Sequence, residues 1–281
     1  TGISQINYFV DKNVVTNVVV GGVTTLSLAS NLVNAVETIV VSSLATVLYS
    51  EFSEMSANEE TDNMVILLNK VVNLTLLLII PLSFLIVSCS TPIIDVLYGH
   101  GSFSSDAVFL TANCLRSYSL GMMFIAVSTL MIRFFYSVKK PLCVVVASSV
   151  SLVVNIVLNI LVWKITDFGA PGIAAATSIG AFVNCFLLFC FLQKYVQKRI
   201  FLPWDEIIKE IAICIFCTFL ALFFQKFISE KWFHLFYLFV GLGTFGVIGF
   251  PLFVVCCPNQ KKLLFGLIRK SKRKKSSTIE H

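Results

Sequence analysis

The strongest constraint on this chain is a succession of apolar segments long enough to cross a bilayer, with almost no charge inside them. A helix spanning the hydrocarbon core needs about 20 predominantly apolar residues. Eight stretches approach or exceed that length: 2–20, 24–49, 65–90, 106–136, 142–163, 172–193, 207–227 and 235–257, with boundaries approximate. Backbone polar groups in lipid must find partners within their own segment, so such runs fold as helices. The expected fold class is all-α, a polytopic membrane helical bundle of about eight transmembrane helices. Composition supports this: 57% of the 281 residues are hydrophobic and 13% are charged. A soluble domain carries about 25% charged residues. Secreted disulfide scaffolds, soluble nucleotide enzymes and disordered chains are excluded.

The connections between segments are short and chemically distinct. Gly21-Gly22 ends the first segment, which is unusually polar, with Gln5, Asn7, Asp11, Asn13 and Asn17. An acidic stretch from Glu51 to Asp62 separates the second from the third, and the third contains Pro81, a kink that neighbouring helices can satisfy. The loop Tyr98-Gly99-His100-Gly101-Ser102-Phe103 precedes the fourth segment, Lys139-Lys140-Pro141 turns into the fifth, and Asp167–Gly172 opens the sixth. A basic linker over 194–206 leads to the last pair, and a basic tail covers 258–281. The chain starts at Thr1 with no signal peptide before the first segment, the expectation for a piece of a longer protein.

Charge placement predicts orientation. The formal net charge is +6, and eight of the 21 Lys and Arg fall between Lys261 and Lys275. Placing the loops after segments two, four and six on the side of the tail gives that side sixteen basic residues and the other side five. The positive-inside rule then makes the tail cytoplasmic, against anionic lipid headgroups rather than nucleic acid. With eight crossings, the start of the first segment is cytoplasmic as well.

Catalysis finds little support. His100, His234 and His281 lie in loops or the tail, and no Gly-rich phosphate loop occurs. Cys214 and Cys217 form a C-x-x-C inside an apolar segment, without the polar setting that redox or zinc chemistry requires.

Ionisable and amide side chains within a membrane usually face a bundle interior or a wet cavity. Asp11 shares a face with Asn7; it is either a helix-end acid reached by water or an ion or proton site. Asn155 and Asn159 stand at i, i+4 on one face, suited to interhelical hydrogen bonding or to cation ligation. Thr177 offers a hydroxyl, and Ile173, one turn earlier, a carbonyl. Together these oxygens suit a hard cation rather than zinc or copper. Asn31, Asn34 and Glu37 form a polar stripe on the second segment, either packed on a neighbour or lining a cavity. Arg133 sits near the cytoplasmic end of the fourth, where it either snorkels to the interface or meets phosphate oxygens.

From the third segment to the sixth the sequence resembles the MurJ/MviN family. The resemblance is carried by Leu97-Tyr98-Gly99-His100-Gly101-Ser102-Phe103-Ser104 with Asp106-Ala107, by Ser117-Tyr118-Ser119-Leu120-Gly121, and by Arg133-Phe134-Phe135-Tyr136 with Pro141. Asn155 to Asn159, Gly169 to Ser178 and Asn184 add to it, as do Gln5 to Asp11 and Ala45-Thr46-Val47-Leu48. The resemblance implies a fourteen-helix exporter fold, two six-helix lobes around a cavity plus two further helices, that flips lipid-linked peptidoglycan precursor by alternating access. By it, 1–193 corresponds to the second lobe and 207–257 to a pair forming a groove for the lipid tail. Implied partners are a polyprenyl-diphosphate-linked precursor, membrane lipids and an N-terminal lobe of the same protein, with no nucleic acid.

No organic cofactor follows from the family, but a sodium ion does, held by Asp11, Asn155, Asn159 and Thr177 with the Ile173 carbonyl. Where the family pattern has a second acid, this sequence has Asn159. Where many members place an Arg and an acid on the second segment, it has Asn31 and Asn34, with Glu37 a turn further on. Another polyprenyl-linked glycan, a cation-coupled drug exporter, a membrane-embedded enzyme and a non-transporting scaffold stay open as alternatives.

Overall fold

The computed structural model describes residues 2–16, 21–58, 61–101, 103–165, 168–196, 204–226, 239–249 and 251–252. The described residues are helical apart from short turns. The helices are α1 (Gly2–Thr16), α2 (Gly22–Glu37), α3 (Ser43–Ala57), α4 (Thr61–Tyr98), α5 (Ser105–Ser137), α6 (Pro141–Ile165), α7 (Gly169–Val196) and α8 (Trp204–Lys226). A short apolar helix, α9 (Phe239–Gly249), follows. Five described helical segments are long and apolar enough to cross a membrane: Gly22–Val41, Asp62–Tyr98, Ser105–Ser137, Pro141–Ile165 and Gly169–Val196. Residues 197–203 of the linker and 235–238, 250 and 253–257 of the eighth predicted segment fall outside the described residues, and the tail over 258–281 wholly so.

Two boundaries differ from the sequence expectation. The acidic stretch from Glu51 was expected to leave the helix, yet α3 carries Glu51 and Glu54 and continues to Ala57. Glu, Met and Ala are strong helix formers. Phe52 is fully buried on the same helix, and Ser56 donates from Oγ to the Ser137 carbonyl at 3.1 Å, fixing the end of α3 against the end of α5. Between α2 and α3 the chain stays helical through a π-helical segment, Thr38–Ser42. The third segment was expected over 65–90 but runs from Thr61 to Tyr98, with both Pro81 and Pro92 inside. At about 1.5 Å per residue α4 is far longer than the roughly 30 Å hydrocarbon core, so its ends reach beyond it.

The long helices surround α5, which packs against α2, α3, α4, α6 and α7. Its start is capped by Ser104, whose Oγ accepts from the Ala107 amide at 3.2 Å. Near its end, Phe134 meets Phe52, Phe135 and Tyr195 edge-on at 5.7, 5.9 and 6.3 Å between centroids. Lys139 then adopts a left-handed φ of 56°, and the amides of Lys139 and Lys140 return to the carbonyls of Tyr136 and Phe135. This Schellman-type cap ends the helix, and Pro141 starts α6.

Small residues bring the helices into close contact. A Cβ at Gly121 would lie 2.6 Å from Ser178 Oγ, whose hydroxyl donates to the Ser117 carbonyl at 2.7 Å. Between α6 and α7, Ser151 Oγ donates to the Gly180 carbonyl at 2.7 Å. Close backbone contact and interhelical hydrogen bonds take the place of a hydrophobic drive inside lipid. The outer faces of α6 and α7 are apolar and exposed, with Val146, Val150, Val153 and Val157 on one and Ile179, Phe182 and Phe186 on the other. The exposed face of α2 instead carries Thr24, Asn31 and Asn34, and Thr38 continues it into the π-helical segment.

Candidate functional site

Three helices bring four of the sequence-selected polar residues to one point. Asp11 on α1 is only 5% exposed, deep enough that its charge requires partners. Asn159 on α6 donates from Nδ2 to Asp11 Oδ1 at 2.6 Å and to Asn155 Oδ1 at 2.9 Å. Thr177 on α7 donates from Oγ1 to Asp11 Oδ2 at 2.9 Å, sharing that proton with the Ile173 carbonyl at 3.1 Å. Asn155 donates from Nδ2 to Thr177 Oγ1 at 3.3 Å. The helical period accounts for the grouping: Asn155 and Asn159 are one turn apart, as are Ile173 and Thr177.

Asn7 joins this cluster. With the Asn155 amide rotated by half a turn, its nitrogen lies 2.8 Å from Asn7 Oδ1 and 3.1 Å from Asp11 Oδ1. Asn7 shares a face with Asp11 at i−4, which is the sequence signal for it, although the residue-level reading did not count it as a ligand.

The donor set defines what the cluster can hold. Asn159 Oδ1 is buried and accepts no hydrogen bond. Asp11 is met by neutral donors, and no described Lys, Arg or His pairs with it. Among the described residues no three His, Cys, Asp or Glu side chains gather as a metal cluster. A single carboxylate with amide, hydroxyl and backbone oxygens fits a hard cation of low charge, since ligand charge and oxygen number govern such sites. An orphaned buried acceptor beside an uncompensated carboxylate is a combination that a bound cation would satisfy.

The other four selected residues stand apart from this cluster. Asn31 and Asn34 lie on the exposed face of α2, and Glu37 closes that helix immediately before the π-helical segment. Glu37 Oε1 is buried and makes no hydrogen bond. Arg133 is half-buried on α5, its guanidinium 5.9 Å from the Tyr49 ring centroid. That arrangement favours the flat cation through the ring's negative face. Sequence reasoning did not single out Arg116, which donates to Asn113 Oδ1 at 2.8 Å and to Thr91 Oγ1 at 3.0 Å. Arg116 thereby ties α5 to α4.

A buried polar cluster, an exposed polar face and an apolar perimeter define a multi-pass helical membrane protein. A family model described as "Lipid II flippase MurJ" matches residues 1–243. The chain belongs to the MurJ family. It is 24% identical over 225 residues to a "Probable lipid II flippase MurJ" of Rickettsia prowazekii, covering 79% of this chain and 43% of that protein. It is 29% identical over 131 residues to the "Lipid II flippase MurJ" of Thermosipho africanus, covering 47% and 27%. A solved structure titled "Lipid II flippase MurJ, inward closed conformation" superposes with a TM-score of 0.73 at 23% identity. That likeness shows the fold, over 95% of this chain and 52% of the other. The chain spans less than half the length of these two relatives.

Proposed function

We propose that this chain is the second lobe, with the last two helices, of a flippase that moves lipid-linked peptidoglycan precursor (lipid II) across the bacterial inner membrane by alternating access, as part of a longer chain. The observation that carries this reading is the family match over residues 1–243. In this account 1–193 is the lobe, 194–206 a basic cytoplasmic linker, 207–257 the added helix pair and 258–281 a cytoplasmic tail against anionic lipid. The protein acts as a transporter and not as an enzyme.

Three features support the division of labour. The polar face of α2, with Asn31 and Asn34 exposed and Glu37 at its end, fits a hydrated cavity between two lobes better than a lipid contact. Arg133, fixed over Tyr49, supplies a planar donor for diphosphate oxygens at the basic end of the bundle. An apolar cavity of about 270 Å³ opens between α4, α5, α7 and α8, walled by Leu76, Phe124, Phe186, Ile207 and Ile211. Its walls suit a polyprenyl chain that stays in the membrane while the headgroup crosses.

The Asp11 cluster would hold one sodium ion through Asp11, Asn155, Asn159, Thr177 and the Ile173 carbonyl. A bound cation supplies the positive charge that Asp11 lacks. It draws α1, α6 and α7 together and biases the equilibrium between conformations by its differential affinity for them.

The test uses the full-length protein in a bacterium depleted of its own precursor flippase, with outer-leaflet lipid II as the readout. Expression restores outer-leaflet lipid II. Replacement of Arg133 by Ala lowers the rate about tenfold, the loss expected for one charge-assisted hydrogen bond. If the expressed protein leaves precursor flipping at the depleted level, the proposal fails. Flipping by Asp11→Ala that matches the parent at every sodium concentration removes the ion role alone.

A further inference from the structure

A second cavity, of about 260 Å³, lies against the Asp11 cluster. Its wall is shared with the cluster at Asn7 and Thr177, and it is otherwise lined in part by Ser128, Ser148, Ser151 and Asn184. Asn184 Oδ1 is buried and accepts no hydrogen bond. Thr129 and Ser151, also in the wall, donate their hydroxyl protons to the carbonyls of Ile125 and Gly180, leaving oxygen lone pairs for the chamber. Walls of this kind are costly in a dry void inside a membrane, and the volume has room for several waters.

The register of the lining residues fixes where the chamber lies. On α6, Ser148 and Ser151 precede Asn155 by about two turns and one turn. On α7, which returns antiparallel to α6 after a short connection, Asn184 follows Thr177 by two turns. Asn7 precedes Asp11 by one turn on α1, and Ser128 points the series toward the end of α5. All are displaced from the cluster in one direction, toward the end of the bundle where Lys139-Lys140 and Lys194 stand. Neither Lys139 nor Lys140 lines the chamber.

We propose that this chamber is the aqueous route by which a monovalent cation reaches Asp11, entering from the Lys139-Lys140 end, with the unpartnered Asn184 carbonyl oxygen as a transit ligand. The inference rests on the reading of the Asp11 cluster as a cation site and adds to it an entry side and a path. Asn184 contacts the ion in passage, while Asp11 holds it.

The experiment places a cysteine in the chamber of the full-length protein by Ser148→Cys, with Ala181→Cys as a second probe should the first fail to fold. Both are treated in oriented membrane vesicles with a small, impermeant, cationic thiol reagent, and the parent protein's own cysteines set the background. The inference expects labelling above background only from the Lys139-Lys140 side, slowed severalfold by sodium but not by choline. Adding Asp11→Ala abolishes the slowing. Replacement of Asn184 by Leu slows the arrival of radioactive sodium about tenfold, equivalent to about 1.4 kcal/mol at the entry barrier. A silent probe, labelling from the opposite side, or labelling indifferent to sodium in a protein that still binds it through Asp11 overturns the route and leaves the site standing. Equal sodium binding by parent and Asp11→Ala removes the site, and the route with it.

Discussion

Asp11 illustrates how burial and chemistry jointly narrow a function. A carboxyl group 5% exposed among packed helices, met by amide and hydroxyl donors, can be charged only at a cost that neutral hydrogen bonds offset in part. Replacement by Asn removes the charge while retaining shape and most of the contacts. Asp11→Asn is therefore expected to fold and to lose sodium-dependent stabilisation, visible as a melting temperature that no longer rises with sodium. A sodium-dependent rise equal to the parent's would contradict the assignment. Arg133 makes a different prediction, because its planar guanidinium is held over Tyr49. Arg133→Lys keeps the charge but loses the ring contact and the bidentate fork, so transport falls between parent and Arg133→Ala. Identical rates for Lys and Arg would show that charge alone matters.

At the scale of elements, close packing of α5 on α7 depends on Gly121. A methyl group there meets Ser178 Oγ at 2.6 Å and Ser178 Cβ at 2.9 Å, so one helix must shift. Gly121→Ala is expected to cost about 1–3 kcal/mol, the range for overpacking a tight core, read as a lower unfolding midpoint of the purified full-length protein. Adding Ser178→Ala recovers only part of the loss, since the Cβ contact remains. The α5–α6 turn gives the opposite sign. Lys139 holds a left-handed φ of 56°, which costs an L-residue about 1–2 kcal/mol, so Lys139→Gly raises the midpoint.

The same scale shows what could be read from sequence. The fourth and fifth segments were legible to within two residues, because Ser104, Pro141 and the Lys139-Lys140 turn mark their ends chemically. The end of α3 was not, because solvent-facing Glu51 and Glu54 hide a helix held by the buried Phe52. Nor was the reach of α4 through Pro92, where tertiary packing outweighs the local break. In the cluster, the i, i+4 spacing of Asn155 and Asn159 was visible, but their meeting with Asp11, 148 residues away for Asn159, is a property of the packing. The chamber beside it was not read: Ser148 and Ser151 continue the Asn155–Asn159 face at helical spacing, but Ser128, Thr177 and Asn184 join them only through packing.

At the scale of the whole molecule, surface chemistry distinguishes two environments. Valines and phenylalanines cover the outer faces of α6 and α7, while α2 presents threonine and asparagine with nothing packed over them. On the proposed flippase reading the polar face of α2 would line the headgroup cavity, and positive charge is sparse on that face. Within the second and fourth predicted segments, Glu37 and Arg133 are the charged groups that this reading assigns to the cavity, beside the neutral Asn31 and Asn34. Much of the headgroup's positive environment is therefore expected from outside this chain. The basic balance, sixteen against five, predicts a tail accessible from the cytoplasm, and protease treatment of oriented vesicles would show it cut only from that side.

The most direct test of the central claim is the rate at which the full-length protein exposes lipid II on the outer leaflet of cells depleted of their own flippase. The account predicts restored exposure that falls about tenfold on Arg133→Ala. Outer-leaflet lipid II remaining at the depleted level, with the protein folded in the membrane, would contradict it.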